Sequence, residues 1–172
     1  MKHVKKIVFI ILLFIISCTP PQNHVKRHQS PSLATSNIAR DVLRSPNLSN
    51  TRKSIIRTAD SLRGVPYLAG GTTPRGFDCS GFTQYVFAKS GISLLRRADQ
   101  QYENGRKIHP NQLRPGDLVF FQTTSRRISH VGIYAGNDMF IHSPSKGKNV
   151  SYTSMNNPYW KPRYRGSVSY IR

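Results

Sequence analysis

The chain has 172 residues, of which 37% are hydrophobic, and this length suits one domain with an appendage rather than several domains. Lysine and arginine total 26 against 7 aspartate and glutamate, which gives a net charge of +19 at pH 7. Such a charge calls for an anionic neighbour (nucleic acid, anionic lipid or an anionic polymer) or for a large solvated surface. The two cysteines, Cys18 and Cys79, lie in very different contexts, so no disulfide is predicted.

The first 17 residues have the pattern of an export signal. A basic start precedes the apolar run Ile7–Ile16, which is too short to span a bilayer but suits the core of a signal peptide. The segment Ile15-Ile16-Ser17-Cys18 resembles a bacterial lipoprotein box, with Ile15 where that box prefers leucine. The resemblance implies cleavage after Ser17 and acylation of Cys18, palmitate included, which would anchor the protein to a membrane. The alternative is an ordinary secretory signal with a chance cysteine. Both interpretations place the protein outside the cytoplasm.

Residues 18–50 are predicted to form the lipidated N-terminus and a flexible basic linker. Proline, serine, asparagine, threonine and basic residues dominate this stretch, and apolar residues are sparse. The segment therefore cannot bury enough surface to order itself. A flexible linker would let the domain move away from the membrane. Its positive charges would either contact anionic lipid headgroups or remain solvated.

The folded domain is predicted to span residues 51–172 and to begin with a helix. Thr51 can cap this helix, and Ile55, Ala59 and Leu62 recur at helical spacing.

Cys79 lies where a glycine-rich stretch over 64–76, which contains Tyr67, gives way to a second helix. Apolar residues at helical spacing over 82–87 predict that helix. Helix N-termini carry unpaired N–H groups and a partial positive charge, which favours the thiolate, the nucleophilic form of cysteine. The small side chain of Ser80 leaves room beside the sulfur for a substrate carbonyl.

Beyond a short polar helix over 97–105, the pattern changes to strands. The run Gly136-Asn137-Asp138 is a hairpin turn signal between two of them. Helices come first and an antiparallel meander second, which indicates an α+β domain. The strands are predicted at 118–121, 130–135, 139–143, 148–152 and 168–171.

Two histidines flank the predicted hairpin. His130 starts one strand and His142 ends the next, and a tight turn centred at Asn137 makes the strands antiparallel neighbours. His142 then faces about Gly132, and residues two apart on a strand share a face, so both imidazoles can lie within reach of each other. This geometry suits His130 as a base and His142 as its orienting group. Packing of the Cys79 helix on that face would complete a catalytic triad.

The same residues have other interpretations. Cys79, His130 and His142 could bind zinc, but zinc sites usually use closer ligand spacing and no fourth ligand is evident. Cys79 could also be a buried structural cysteine. His109, beside Pro110 in a polar loop, is interpreted as a surface residue. No metal site is predicted.

Five motifs stand in order along residues 55–172. They are Gly64-Val65-Pro66-Tyr67 with Gly70-Gly71, then Asp78-Cys79-Ser80-Gly81-Phe82, the segment 113–121, Ser129-His130-Val131-Gly132-Ile133-Tyr134, and Phe140-Ile141-His142-Ser143. Together they resemble the NlpC/Spr family of papain-like cell-wall cysteine peptidases, and the lipoprotein start is similar to that of its small lipoprotein members. The resemblance implies a papain-like fold with N-terminal helices packed on a mostly antiparallel sheet.

The resemblance also implies a role for each site residue. Cys79 would be the nucleophile, His130 the general base and acid, and His142 the polar third member. Tyr67 would contact the substrate or the developing oxyanion, the Cys79 backbone N–H would donate to that oxyanion, and Ser80 is assigned to the same substrate and oxyanion region. The chain departs from the family at Leu95-Arg96-Arg97, where Pro-Arg-Ser or Pro-Arg-Thr is common, and this leaves fine specificity open.

The predicted function is that of a peptidoglycan endopeptidase, a cysteine-type hydrolase anchored in the bacterial envelope and facing the periplasm. The family implies cleavage of either the γ-D-glutamyl–diaminopimelate bond or the D-alanyl–diaminopimelate cross-link. Free carboxylates of stem peptides suit a basic enzyme. No cofactor is needed, and a monomer is expected. The alternatives are a non-catalytic wall-binding lipoprotein and a related amidase or acyltransferase, whereas export disfavours nucleic-acid binding.

Overall fold

The computed structural model describes residues 31–124 and 127–172. The predicted signal segment 1–17 and the predicted acylation site Cys18 lie outside the described residues. Within the described ranges, every helix is too short or too polar to cross a membrane.

Helices lead and an antiparallel sheet follows, which confirms the predicted α+β class. The helices are α1 Pro31–Arg44, α2 Asn50–Ser61, α3 Cys79–Ala88 and α4 Ala98–Asn104, with short 3-10 turns at Pro110–Gln112 and Lys161–Arg163. The strands are β1 Thr72–Thr73, β2 Gly76–Phe77, β3 Arg106–Ile108, β4 Leu118–Phe121, β5 His130–Gly136, β6 Met139–His142, β7 Ser151–Ser154 and β8 Tyr164–Ser169. Strands β3 to β8 form one sheet in the order β3-β8-β4-β5-β6-β7 with every pair antiparallel, and β1 pairs with β2 alone.

Both faces of the central sheet are covered. All four residues of β4 are buried because Leu118 and Phe120 join the core beneath the helices, while Val119 and Phe121 join a second cluster on the other face. Helices α1, α2 and α3 all contact β5 on the first face. Side chains from the segment after β7, Trp160 among them, cover the second face.

The structure corrects the predicted linker over 18–50, because residues 31–44 of that stretch form helix α1. Ile38, Ala39 and Val42 share one side of this helix and are buried against α2 and β5. The apolar residues of the stretch are few, but they fall at helical spacing, and that is enough to bury one face. Helix α2 also begins slightly earlier than predicted, because Ser49 and not Thr51 is its cap.

The hairpin between β5 and β6 has the predicted register. Ile133 lies opposite Ile141 and Tyr134 opposite Phe140. Asn137 and Asp138 have φ values of 51° and 55°, which are the left-handed conformations that a two-residue hairpin turn requires. A β-bulge at Gly136, just before the turn, shifts the pairing by one residue. Turn chemistry thus fixes which residues of β6 stand beside the start of β5.

A buried ion pair joins the helical layer to the sheet. Arg52 of α2 donates through Nη1 to Asp117 Oδ1 at 2.9 Å and to the carbonyl oxygen of Pro115 at 2.9 Å, and through Nη2 to Ser169 Oγ at 3.3 Å. Asp117 is 1% exposed and also accepts from the backbone N–H of Arg114 at 2.9 Å. One guanidinium therefore fixes the turn before β4 and the end of β8 to helix α2.

Replacing Arg52 with alanine should strongly destabilise the domain, because the Asp117 carboxylate would stay buried without its partner. We expect the free energy of unfolding to fall by about 3–5 kcal/mol for Arg52→Ala. The exposed Arg57 of the same helix supplies a matched control, and Arg57→Ala should change stability by no more than about 0.5 kcal/mol. Urea unfolding followed by circular dichroism measures both, and equal losses in the two variants would contradict this role for the ion pair.

Candidate active site

Cys79 is the first residue of α3, as predicted, and the loop before it is tightly fixed. Asp78 caps the helix, with Oδ1 accepting from the backbone N–H of Gly81 at 2.7 Å. The backbone N–H of Asp78 in turn donates to the carbonyl oxygen of Gly71 at 3.0 Å. A Cβ on Gly81 would lie 2.1 Å from that same oxygen, so only glycine permits this approach of helix and loop. The thiol is therefore held on a rigid helix start.

The two predicted histidines are in direct contact. His130 Nε2 lies 2.7 Å from His142 Nδ1. Both residues are buried, with His130 4% exposed and His142 1% exposed. His142 Nε2 lies 3.0 Å from the hydroxyl oxygen of Thr153 on β7. Trp160 packs against both imidazoles, with ring centroids 4.8 Å from His130 and 5.0 Å from His142. The result is a buried chain of hydrogen-bonding groups that runs across three neighbouring strands.

Thr153 and Trp160 were not identified from the sequence. The predicted fourth strand stopped at residue 152, one position before Thr153, although β7 runs over Ser151–Ser154. A strand paired with β6 must present alternate residues on the histidine face, and this alternation is the signal that could have found Thr153. Trp160 comes from a non-repetitive segment after β7, whose path leaves no periodic trace in the sequence.

The Cys79 helix does not pack on the histidine face, which corrects the predicted arrangement. Helix α3 packs on the face of β5 and β6 that carries Val131, Ile133 and Ile141. Those side chains are apolar, and a largely apolar helix buries more surface against them than against imidazoles. The thiol instead reaches the start of β5 from the other side, with Sγ lying 3.9 Å from the carbonyl oxygen of Ser129.

Cys79 and His130 nevertheless line the same cleft. Its larger lobe has a volume of about 650 Å³, and its smaller lobe, on the other side of the thiol, about 510 Å³. Cys79, Tyr67 and Ser129 line both lobes, so the sulfur stands at their junction. His130 lines the larger lobe and Ser80 the smaller one. A chain-like substrate lying along both lobes would pass directly over the thiol.

Tyr67 and Ser80 occupy fixed positions beside Cys79. The backbone N–H of Tyr67 donates to the carbonyl oxygen of Lys148 at 2.9 Å, which anchors the phenol at the junction of the lobes. Burial raises the pKa of Tyr67, and the charges of Cys79 and Asp78 add to this, so its hydroxyl remains a donor. Ser80 is buried, and its hydroxyl oxygen lies 3.3 Å from Asp78 Oδ1.

Arg96 completes the wall of the smaller lobe. Its guanidinium pairs with both carboxylate oxygens of Asp78 and donates through Nη1 to Ser80 Oγ at 3.0 Å. The buried Gln101 holds this segment in place, because its Nε2 donates to the carbonyl oxygens of Ser80 at 3.1 Å and Leu95 at 2.8 Å. The segment that departs from the family pattern in the sequence thus forms part of the cleft wall.

Burial sets the protonation of the thiol and the imidazoles. It raises the pKa of Cys79 to about 11, and the Asp78 carboxylate acts in the same direction against the opposing backbone N–H groups. Burial likewise lowers the pKa of His130 to about 3 and that of His142 well below its usual value. Desolvation therefore acts against the thiolate that is expected at the helix start. Burial thus favours the uncharged form of the thiol and of both imidazoles.

His109 is exposed, as expected. Across the described residues, no group of three or more histidine, cysteine or acidic side chains has an arrangement that could hold a metal ion. His130 and His142 hydrogen-bond each other rather than converging on a common point.

A cysteine on a helix start, set against an antiparallel sheet that carries two hydrogen-bonded histidines, defines a papain-like α+β domain. The chain belongs to the NlpC/P60 family, whose model matches residues 64–169. It is 44% identical to the gamma-DL-glutamyl hydrolase of Bacillus subtilis over 65% of this chain and 28% of that protein. It is 47% identical to the murein DD-endopeptidase MepS/murein LD-carboxypeptidase of Escherichia coli over 59% of this chain and 54% of that protein.

The fold comparison agrees with the sequence comparison. The crystal structure of an NlpC/P60 family protein from Bacillus cereus superposes with a TM-score of 0.67 and 33% identity, over 70% of this chain and 40% of that one. The chain spans 28% and 54% of the two curated relatives, so the shared part is the domain and not their whole length.

The high pKa of Cys79 has a direct kinetic consequence. At pH 7 only about one thiol in ten thousand is ionised when the pKa is near 11, so alkylation by iodoacetamide should accelerate about tenfold per pH unit from pH 7 to 10. Mass spectrometry of protein carrying Cys18→Ser, in which Cys79 is the sole cysteine, measures this rate. A rate that already levels off below pH 7 would show a thiolate–imidazolium pair instead.

Proposed function

We propose that this chain is a peptidoglycan endopeptidase that uses Cys79 as nucleophile, His130 as general base and acid, and His142 as the group that orients His130. The main support is the 2.7 Å contact between His130 Nε2 and His142 Nδ1. His130 and Cys79 also line the same cleft. Membership of the NlpC/P60 family supports the proposal, as do the endopeptidase and hydrolase names of its relatives.

The hydrogen-bond chain specifies where the protons must lie. For His130 to take the thiol proton on Nδ1, its own proton must sit on Nε2 and be donated to His142 Nδ1. His142 then carries its proton on Nε2 and donates it to the Thr153 hydroxyl oxygen. Both imidazoles are neutral in this arrangement, in agreement with the direction in which burial moves their pKa values.

Attack then begins from a neutral pair. As the Cys79 sulfur adds to a peptide carbonyl carbon, the thiol proton moves to His130 Nδ1, so that charge appears only as the bond forms. In this proposal the backbone N–H of Cys79 and the Tyr67 hydroxyl donate to the developing oxyanion. His142 holds the imidazolium by accepting from its Nε2–H.

Collapse of the intermediate breaks the C–N bond, and His130 gives its proton to the departing amine. Water then adds to the Cys79 thioester with His130 as base. The C–S bond breaks, the acid product leaves, and His130 returns the proton to the Cys79 sulfur.

The two candidate bonds are those that the family resemblance implies, and the names of two relatives support keeping both. One relative is named a gamma-DL-glutamyl hydrolase and the other a DD-endopeptidase and LD-carboxypeptidase. The proposed substrates are therefore the γ-D-glutamyl–diaminopimelate bond and the D-alanyl–diaminopimelate cross-link. Export by the signal over 1–17 and an acyl anchor on Cys18 would bring the domain to that polymer as a periplasm-facing lipoprotein.

A muropeptide digest tests this function. The purified protein is incubated with muropeptides that contain each bond, and products are separated and weighed by mass spectrometry beside a Cys79→Ala control. We expect products that the control lacks, with masses that identify the bond. Absence of products from every muropeptide, in protein whose Cys79 still alkylates, would overturn the proposal and favour an acyltransferase or a wall-binding lipoprotein.

Thr153 should matter for turnover although it lies two hydrogen bonds from the reacting atoms. Thr153→Val keeps the shape and the strand but removes the acceptor for His142 Nε2, and we expect kcat to fall about tenfold, the value of roughly one buried hydrogen bond. Thr153→Ser keeps the hydroxyl and should restore most of the rate. If valine and serine variants turn over equally fast, the hydroxyl does not position the imidazoles.

A further inference from the structure

The position of His130 decides which half of the substrate lies in which lobe, provided that the proposed function holds. A general acid must reach the leaving nitrogen within hydrogen-bond distance. Among the described residues, His130 lines the larger lobe and is absent from the lining of the smaller one. The leaving half of the substrate therefore extends into the larger lobe, and the acyl half into the smaller lobe beside Asp78 and Arg96.

The two lobes differ in the charged side chains that line them. The smaller lobe is lined by two acidic and three basic side chains: Asp78 is paired with Arg96, Asp99 is paired with Arg97, and Arg127 also lines this lobe. In the larger lobe, Lys148 is the one formally charged side chain among the described residues of the lining. No carboxylate in residues 31–124 or 127–172 lies within salt-bridge distance of the Lys148 ammonium. The larger lobe thus offers a cation without a counterion from the described protein.

Backbone hydrogen bonds fix the position of Lys148 beside the cleft. Its backbone N–H donates to the carbonyl oxygen of Ser145 at 3.0 Å, and its carbonyl oxygen accepts from Tyr67 at 2.9 Å. Gly147, with φ near 80°, makes the turn that allows this path between β6 and β7. The charge of Lys148 acts on His142, whose pKa it lowers after the larger effects of burial and of His130.

We propose that Lys148 binds the free diaminopimelate carboxylate carried by the leaving half of the substrate. Both candidate bonds release an amine of diaminopimelate, so either leaving half brings that carboxylate into the larger lobe. A bound carboxylate also neutralises the Lys148 charge that acts on His142 when His130 becomes cationic. Lys148 is thus assigned as a specificity-determining residue that recognises an anionic group on the leaving side.

The test crosses a change in the enzyme with a change in the substrate. The cleaved muropeptide is compared with the same compound carrying a carboxamide in place of that carboxylate, on wild type and on Lys148→Gln. We expect Lys148→Gln to raise KM for the carboxylate substrate about fivefold, in the range of partly exposed ion pairs, with kcat changed less than twofold. The loss should be confined to the carboxylate substrate, and Lys148→Arg should restore KM.

Lys146 provides the matched control, since it is an exposed lysine two residues away that does not line the lobe. Lys146→Gln should leave KM for both substrates unchanged. Equal losses from Lys146→Gln and Lys148→Gln, or equal losses on both substrates, would overturn the assignment of Lys148. In either case the wild-type protein would still cleave the muropeptide and Cys79→Ala would not. If the proposed function itself is wrong, no form of the protein, wild type included, would cleave it.

Discussion

The hydrogen bond between His130 and His142 is the constraint on which the rest of the site depends. It exists because a two-residue left-handed turn at Asn137 and Asp138 fixes the register of β5 and β6. A slip of one residue would send one imidazole to the opposite face of the sheet. The hydrogen bond assigns Nε2 of His130 to the protein interior, and so it leaves Nδ1 as the nitrogen available to the thiol.

Burial explains both the order and the resting chemistry of this site. Trp160 and the β-sheet exclude water from the imidazoles, and this exclusion lowers their pKa values while the same effect raises that of Cys79. A charged pair formed in advance would bear the cost of desolvation before substrate arrives. In the proposed mechanism charge develops only during attack, where the oxyanion donors and the oriented imidazole would stabilise it together.

Local sequence patterns correctly predicted the features of the fold that depend on neighbouring residues. The hairpin register follows from the turn residues, and the placement of Cys79 follows from a glycine-rich loop before an apolar helix. Helix α1 was missed because overall polarity hid one buried face, and Thr153 and Trp160 were missed because their contacts come from chain segments brought together only by the fold. The burial that raises the pKa of the thiol could not be predicted from the sequence, because burial is a property of the assembled cleft.

The most direct test of this account is nitrogen NMR of ¹⁵N-histidine-labelled protein between pH 5 and 8. We expect His130 and His142 to remain neutral throughout, each with its proton on Nε2, and we expect Cys79→Ala to leave both tautomers unchanged. An imidazolium signal from His130 at pH 7 that disappears in Cys79→Ala would contradict it, because that signal would show a thiolate–imidazolium pair formed before substrate binds.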